Sequence, residues 1–160
     1  MRTLWLLLLA FLPFTASAQY NVDRLIMSGR VAVYYEDYVL GIQYFNQALS
    51  LKPYLYEPWQ LRAIAKFNLD DFAGAEFDAT KAIELNPYIP LLYDLRGISR
   101  IRQENYKGAI ADYEHAIRLE PTNQNFWYNR AVCRMEMKDY ERAQLELDTI
   151  IQHWQKFASP

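Results

Sequence analysis

Three prolines, Pro53, Pro87 and Pro121, stand 34 residues apart, and each closes a similar phrase. The phrases are A-L-S-L-K-P, A-I-E-L-N-P and A-I-R-L-E-P. A unit of this length cannot bury its apolar face alone, so a chain that repeats it is expected to fold as a stack of similar units. This period constrains the fold more than any other feature of the sequence.

Other residue types recur at the same interval. Small residues form two series, and large aromatic residues form two more, one of which always follows Asp or Asn. We expect the small residues to lie where two helices approach closely and the prolines to end the second helix of each unit. The series are Gly29, Ala63, Gly97 and Ala131; Gly41, Ala75, Ala109 and Ala143; Trp59, Tyr93 and Trp127; and Tyr38, Phe72, Tyr106 and Tyr140.

Between Trp59 and Pro87 the large and small residues recur at intervals of three and four, the period of an amphipathic helix. Together with the longer period, this pattern resembles the tetratricopeptide repeat family, a helix-turn-helix with W-x₂-L-G-x₂-Y, then A-x₃-F, then P. The resemblance implies an all-α solenoid of about four repeats wound into a right-handed superhelix. The repeats would span approximately residues 22–55, 56–89, 90–123 and 124–157, within a domain of residues 19–160.

The last three copies depart from the family pattern by carrying basic residues at two recurring positions. One interpretation is a cationic track for an acidic ligand. The other is regular pairing between helices, because acidic residues recur at the same interval in the second helices. Two series of opposite sign at one period favour pairing. The basic series are Arg62, Arg96 and Arg130, and Lys66, Arg100 and Arg134; the acidic series is Asp78, Asp112 and Glu146.

The first residues have a different character. Arg2 precedes an apolar run from Leu4 to Phe14, and the small residues Ala16-Ser17-Ala18 follow. This is the pattern of a secretory signal peptide, which predicts that residues 1–18 are removed and that the exported protein, periplasmic or secreted, begins at Gln19. The alternative is an uncleaved membrane anchor, although the run is shorter than the approximately 20 residues that span a bilayer comfortably.

The resemblance implies that the first helices line a concave groove. Residues spaced by four lie on one face of each helix, and Ile64, Ile98 and Val132 would form an apolar strip along it. The alternative is a solvated face without a ligand. The candidate partner-binding residues are Tyr34, Gln60, Ile64, Asn68, Asp94, Ile98, Arg102, Tyr128, Val132 and Glu136.

Some members of the family hold the C-terminal carboxylate of a chaperone client with Lys, Arg and Asn at set places. That pattern is absent, and we do not expect a cytosolic heat-shock co-chaperone. The corresponding places hold Ile26, Arg30, Leu61, Leu91 and Leu95.

Several classes of function lack support in the sequence. The formal charge of −2 includes no basic stripe for nucleic acid. Cys133 is the single cysteine and is expected to pack in the core, while His115 and His153 lack metal-ligand spacing. No phosphate-binding loop or nucleophile motif is present. We therefore expect no cofactor, no small-molecule substrate and no enzymatic activity.

The final predicted helix carries apolar residues on a face that no further repeat covers, and Leu147, Ile151 and Trp154 are candidates for end-to-end contact. Either the protein self-associates there or the natural chain extends beyond Pro160. The predicted function is an exported protein–protein interaction scaffold that binds a polypeptide in its groove. The alternative is a self-associating structural component of an envelope complex.

Overall fold

The structure, a computed structural model, describes residues 21–158, and side chains as far as residue 152. All regular structure in this range is helical, and the chain forms a helical-repeat solenoid, as the sequence predicts. The helices are α1 (residues 21–34), α2 (Tyr38–Leu51), α3 (Tyr56–Asn68), α4 (Phe72–Leu85), α5 (Pro90–Arg102), α6 (Tyr106–Leu119), α7 (Gln124–Glu136) and α8 (Tyr140–Ala158). The predicted signal peptide, residues 1–18, lies outside the described residues.

Each helix packs mainly against its neighbours in the chain, so the core runs along the stack. The largest cluster joins α5, α6 and α7 around Tyr113 and Phe126, which are almost completely buried. A second cluster lies between α1, α2 and the start of α3, around Val22 and Ala48. Among residues 21–158, no helix combines the length and apolar character that crossing a bilayer requires.

The predicted small residues lie at close contacts between helices. Ala63, Ala75 and Ala109 are completely buried. A Cβ atom added to Gly97 would lie 2.9 Å from Cζ of Tyr113, so the tyrosine ring packs directly on the α5 backbone. The expectation that these positions allow the two helices of one repeat to approach is confirmed.

The turn from a first helix to a second helix has the same geometry in every repeat. One residue adopts a left-handed conformation, with φ between 59° and 63° at Glu36, Asp70, Glu104 and Lys138. In the first three repeats the following Asp or Asn caps the next helix, as when Asn105 Oδ1 accepts from the backbone N–H of Gly108 at 3.1 Å. In these three repeats the polar residue before the aromatic is therefore an N-cap, which satisfies an otherwise unpaired helical N–H.

The series of Trp59, Tyr93 and Trp127 forms hydrogen bonds with the turns that contain the prolines. The second helices end at Leu51, Leu85 and Leu119, two residues before each proline. The carbonyl of that proline then accepts a hydrogen bond from the aromatic side chain six residues later. The donors are Trp59 Nε1 to Pro53 at 2.9 Å, the Tyr93 hydroxyl to Pro87 at 3.1 Å and Trp127 Nε1 to Pro121 at 3.0 Å. These side chains fix each repeat to the turn before it, in addition to filling space.

Candidate functional site

The predicted basic ladder lies between helices and is paired with the predicted acidic series. In the second repeat, Arg62 contacts Asp78 through two nitrogens, Nε to Oδ2 and Nη2 to Oδ1, both at 2.7 Å. Lys66 Nζ lies 2.9 Å from the same carboxylate, which is completely buried. Two basic groups thus compensate one buried charge, an arrangement that we call an ion triad.

The third repeat has the same triad. Arg96 Nη2 contacts Asp112 Oδ1 at 2.6 Å, and Arg100 Nη1 contacts Asp112 Oδ2 at 2.8 Å. Nε of Arg100 also reaches Glu76 of the preceding repeat at 2.7 Å. The triad therefore connects α5 to both α4 and α6.

In the fourth repeat Glu146 replaces aspartate, and the pairing is less complete. Nη2 of Arg130 and Nη1 of Arg134 both contact Glu146 Oε1 at 2.6 Å. Oε2 of Glu146 and Nε of Arg130 are buried without hydrogen-bond partners among the described residues. Burial raises the pKa of Glu146, although both arginines act against the rise.

Each ladder arginine is further held by an aromatic ring one turn earlier. The guanidinium carbon lies 4.8 Å from the ring centre of Trp59 in the second repeat, 5.8 Å from that of Tyr93 in the third and 5.0 Å from that of Trp127 in the fourth. These distances are typical of cation–π contacts. The prediction of structural pairing is confirmed, and the ladder is not an open cationic track.

The predicted groove residues lie along α1, α3, α5 and α7, on what we call the first-helix face. Contacts between neighbouring helices join parts of this face. Arg30 of α1 pairs with Glu57 of α3, and Ile64 and Ile98 pack against the same buried cluster. The ten candidates divide by exposure: Tyr34, Asn68, Arg102, Tyr128 and Glu136 are exposed, whereas Gln60, Ile64, Asp94, Ile98 and Val132 are half-buried.

Two of these candidates, Arg102 and Tyr34, differ in their contacts with neighbouring side chains. Arg102 lies over the ring of Phe72, with its guanidinium carbon 4.4 Å from the ring centre, and its Nη2 is 3.5 Å from Asp70. Tyr34 packs edge-to-face on Tyr35, with ring centres 5.2 Å apart, and remains 80% exposed. Arg102 is thus directed toward the preceding turn, while Tyr34 is available to solvent.

A polar cluster on this face was only partly anticipated. Asn129 Nδ2 of α7 lies 3.4 Å from Asp94 Oδ1 of α5, which joins two first helices. The Tyr113 hydroxyl, from α6, lies close to both residues but is not well aligned for a hydrogen bond with either. Burial raises the pKa of Asp94, and the pKa of Tyr113 rises through burial and through the nearby Asp94 charge.

The sequence prediction contained Asp94 but missed Tyr113 and Asn129. The signal that could have found them is a break in the period. The equivalents of Tyr113 in the other repeats are Phe45, Ala79 and Leu147, and those of Asn129 are Met27, Leu61 and Leu95. Polar residues thus replace apolar ones at the junction of the third and fourth repeats alone.

The candidates for end-to-end contact lie on α8. Leu147 is half-buried and Ile151 is 53% exposed, while the side chain of Trp154 lies outside those described. Leu145, on the same helix, is 68% exposed. Apolar side chains therefore reach solvent on the last helix.

Cys133 is buried in the α5–α7 cluster, as predicted, and burial raises the pKa of its thiol to about 11. A thiol of this kind is mostly protonated at neutral pH and is a poor nucleophile. The ring of His115 stacks on that of Tyr93, with centres 5.2 Å apart. Across residues 21–152, no three acidic, histidine or cysteine side chains are grouped closely enough to hold a metal ion.

The helix pairs, buried triads and exposed first-helix face define a helical-repeat solenoid. Residues 100–156 match the family model described as "Tetratricopeptide repeat", so the predicted resemblance is confirmed over α6, α7 and most of α8. No curated protein matches the chain in sequence.

Solved structures extend the likeness to most of the chain. The TPR domain of Arabidopsis OM64 is 26% identical, with a TM-score of 0.71, over 74% of this chain and 98% of that one. The first TPR of Spaghetti (RPAP3), solved bound to the HSP90 peptide SRMEEVD, is also 26% identical, with a TM-score of 0.72, over 74% of this chain and 94% of that one. MamA is 18% identical over 88% of this chain and 82% of its own, with a TM-score of 0.83. At this identity the likeness to MamA concerns the fold only.

Proposed function

We propose that this chain is a non-enzymatic interaction scaffold that binds an extended polypeptide along its first-helix face. The observation that carries the proposal is that the first helices of the repeats carry both exposed aromatic residues and half-buried aliphatic ones. Tyr34 and Tyr128 are 80% and 55% exposed, while Ile64, Ile98 and Val132 are half-buried. Tyrosine offers apolar contact and a hydroxyl at low entropic cost, which suits peptide recognition.

The likeness to peptide-binding relatives supports the same function. The Spaghetti (RPAP3) domain, which matches most of this chain, holds a short peptide. Helical-repeat arrays in general use extended concave surfaces for binding. An acidic peptide such as SRMEEVD is nevertheless not the ligand that we expect, because Ile26 and Leu95, at two of the clamp places, are almost completely buried.

A peptide-display selection on the immobilised protein tests the proposal. We expect selected peptides to bind in a fluorescence-polarisation assay and the variant Tyr34→Ala/Tyr128→Ala to bind them at least tenfold more weakly. The variant Tyr54→Ala/Tyr88→Ala is the matched control, since both tyrosines are exposed on turns between repeats. Equal loss in both variants, or selected peptides that ignore Tyr34 and Tyr128, would contradict the proposal.

A second candidate function is self-association through α8, and the exposed Leu145 and Ile151 favour it. Light scattering at increasing protein concentration tests this candidate. The variant Leu145→Glu/Ile151→Glu should then remain monomeric while the unchanged protein forms larger species. An unchanged protein that stays monomeric throughout would rule it out.

Export is proposed on the sequence of residues 1–18 alone. Mass spectrometry of the protein made in its natural host should find an N-terminus at Gln19. An intact Met1 terminus in the cytosolic fraction is the result that would reject export.

A further inference from the structure

The strongest unexplained chemistry in the molecule is the polar cluster between α5 and α7. Tyr113 is completely buried, and its hydroxyl has no hydrogen-bond partner among the described residues. A buried hydroxyl that lacks a hydrogen bond destabilises the fold, so its retention calls for an explanation. The ring passes beneath Gly97, where an added Cβ would lie 3.2 Å from the hydroxyl oxygen. Because Gly97 has no side chain, the Tyr113 hydroxyl can reach the part of α5 that carries Asp94.

The charge at this place is also uncompensated. Every buried carboxylate of the ion triads has two basic partners, but no lysine or arginine of the described chain forms an ion pair with Asp94. Its described polar neighbours are both neutral: the Asn129 amide, at the long distance of 3.4 Å, and the Tyr113 hydroxyl. A half-buried carboxylate in this setting favours the approach of a cation from outside.

The fold does not require these residues. The positions equivalent to Asp94 in the other repeats hold Ile26, Gln60 and Tyr128, none of them ionised. Phe45 occupies the place of Tyr113 in the first repeat and packs just as closely beneath Gly29. The charged residue and its two polar neighbours therefore occur together at this junction alone, and such local departures tend to mark functional sites.

We propose that Asp94, Asn129 and the Tyr113 hydroxyl form a pocket that accepts the ammonium group of a lysine side chain on a polypeptide bound along the first-helix face. An ammonium has three N–H donors. The pocket offers three oxygen acceptors: the Asp94 carboxylate, the Asn129 amide oxygen and the phenol oxygen. The proposal rests on the proposed function, since it assigns a chemical preference to the same face.

Two variants separate binding from folding. Asp94→Asn and Tyr113→Phe keep the shape of each side chain but remove the charge or the hydroxyl. If the cluster serves a ligand, both variants should unfold at the same or a higher temperature at pH 7, because each removes a poorly compensated polar group. A clear fall in melting temperature for both would assign the cluster a structural role and overturn the proposal.

The direct probe is n-butylammonium chloride, which mimics a lysine side chain. Titrated into ¹⁵N-labelled protein, it should shift the Asn129 side-chain amide saturably, with at least fivefold weaker binding to Asp94→Asn and to Tyr113→Phe. Sodium chloride and n-butanol at equal concentration control for salt and for apolar contact. Asp148→Asn, which removes an exposed carboxylate of α8 outside the first-helix face, is the matched control and should bind as the unchanged protein does. An amide that does not shift, or shifts equally in Asp94→Asn, overturns the proposal.

The selected peptides provide the second arm. A peptide that binds through Tyr34 and Tyr128 should lose at least tenfold in affinity when its lysine is acetylated, and Asp94→Asn should abolish that difference. If such peptides lack lysine and bind Asp94→Asn normally, the pocket assignment fails while the scaffold function stands. If no peptide depends on the two tyrosines, the scaffold function itself fails.

Discussion

At the scale of single residues, buried carboxylates are the most consequential feature of the three C-terminal repeats. Asp78 and Asp112 are at most 1% exposed, and each lies between two basic side chains from the adjacent first helix. Burying such pairs adds little net stability relative to apolar packing, but removing one partner leaves the others uncompensated in a desolvated site. The triads therefore act mainly by fixing how one helix lies on the next.

Replacing Asp112 with Asn should destabilise the protein strongly, by about 3–5 kcal/mol, because Arg96 and Arg100 would both lose their counter-charge. Urea unfolding followed by circular dichroism measures the change. The exposed Asp148→Asn on α8 is the control and should shift the free energy of unfolding by less than about 0.5 kcal/mol. A loss at Asp112 no larger than that at Asp148 would mean that the triad does not hold the helices.

At the scale of elements, the turn inside each repeat combines two local devices. A left-handed residue ends the first helix, and the capping side chain one residue later begins the second. Left-handed geometry is unfavourable for residues other than glycine, so the cap and the packing of the two helices must hold it in place. The turn thus sets the angle between the two helices of a repeat.

Removing the cap at Asn105 should weaken this turn. Asn105→Ala is expected to lower the free energy of unfolding by about 1 kcal/mol, because the Gly108 N–H loses its acceptor. Asn105→Asp keeps an oxygen in the same place and should be close to neutral. Thermal melts of the two variants provide the measurement, and equal destabilisation by both would show that the loss does not come from the cap.

The extent to which the sequence predicts these elements depends on whether they repeat. The prolines and small residues recur, so the helices, their ends and their close contacts follow from the period. The triads follow as well, because charges of opposite sign recur together. Tyr113 and Asn129 do not recur, and their contact with Asp94 depends on how α6 passes beneath Gly97, which only the packed helices show. The left-handed residues are Glu, Asp, Glu and Lys, so no residue type marks them.

At the scale of the whole molecule, the repeats are not equivalent. The first repeat has Ser28, Ala32 and Tyr44 at the places of the ion triad. Its side chains Met27 and Val31 are 59% and 49% exposed, whereas their counterparts in the later repeats are buried or half-buried. The largest cluster lies instead between α5 and α7. In a linear array, the total stability is close to the sum of the stabilities of single repeats and of the contacts between neighbours. A difference in packing therefore changes the stability of the repeat in which it occurs and has little effect on distant repeats.

Hydrogen exchange of the intact chain should reveal this gradient. Amides of α1 and α2 are expected to exchange at least tenfold faster than those of α5 and α6, because the first repeat lacks the triad. Exchange measured by mass spectrometry after peptic digestion resolves the helices. Comparison with α7 and α8, which have a triad at the other end of the described array, controls for terminal position. Equal protection across all four helix pairs would contradict the expectation.

The hydrogen bonds from aromatic side chains to proline carbonyls have a practical consequence. Trp59 and Trp127 each place an indole at one boundary between repeats, and Tyr93 takes that place at the boundary between them. When either boundary opens, the indole N–H loses its hydrogen bond to the proline carbonyl and binds water instead. The fluorescence of that tryptophan then changes. With Trp5 and Trp154 replaced, the protein would carry two intrinsic optical reporters at separate positions along the stack. The order in which its boundaries open could then be followed without an attached dye.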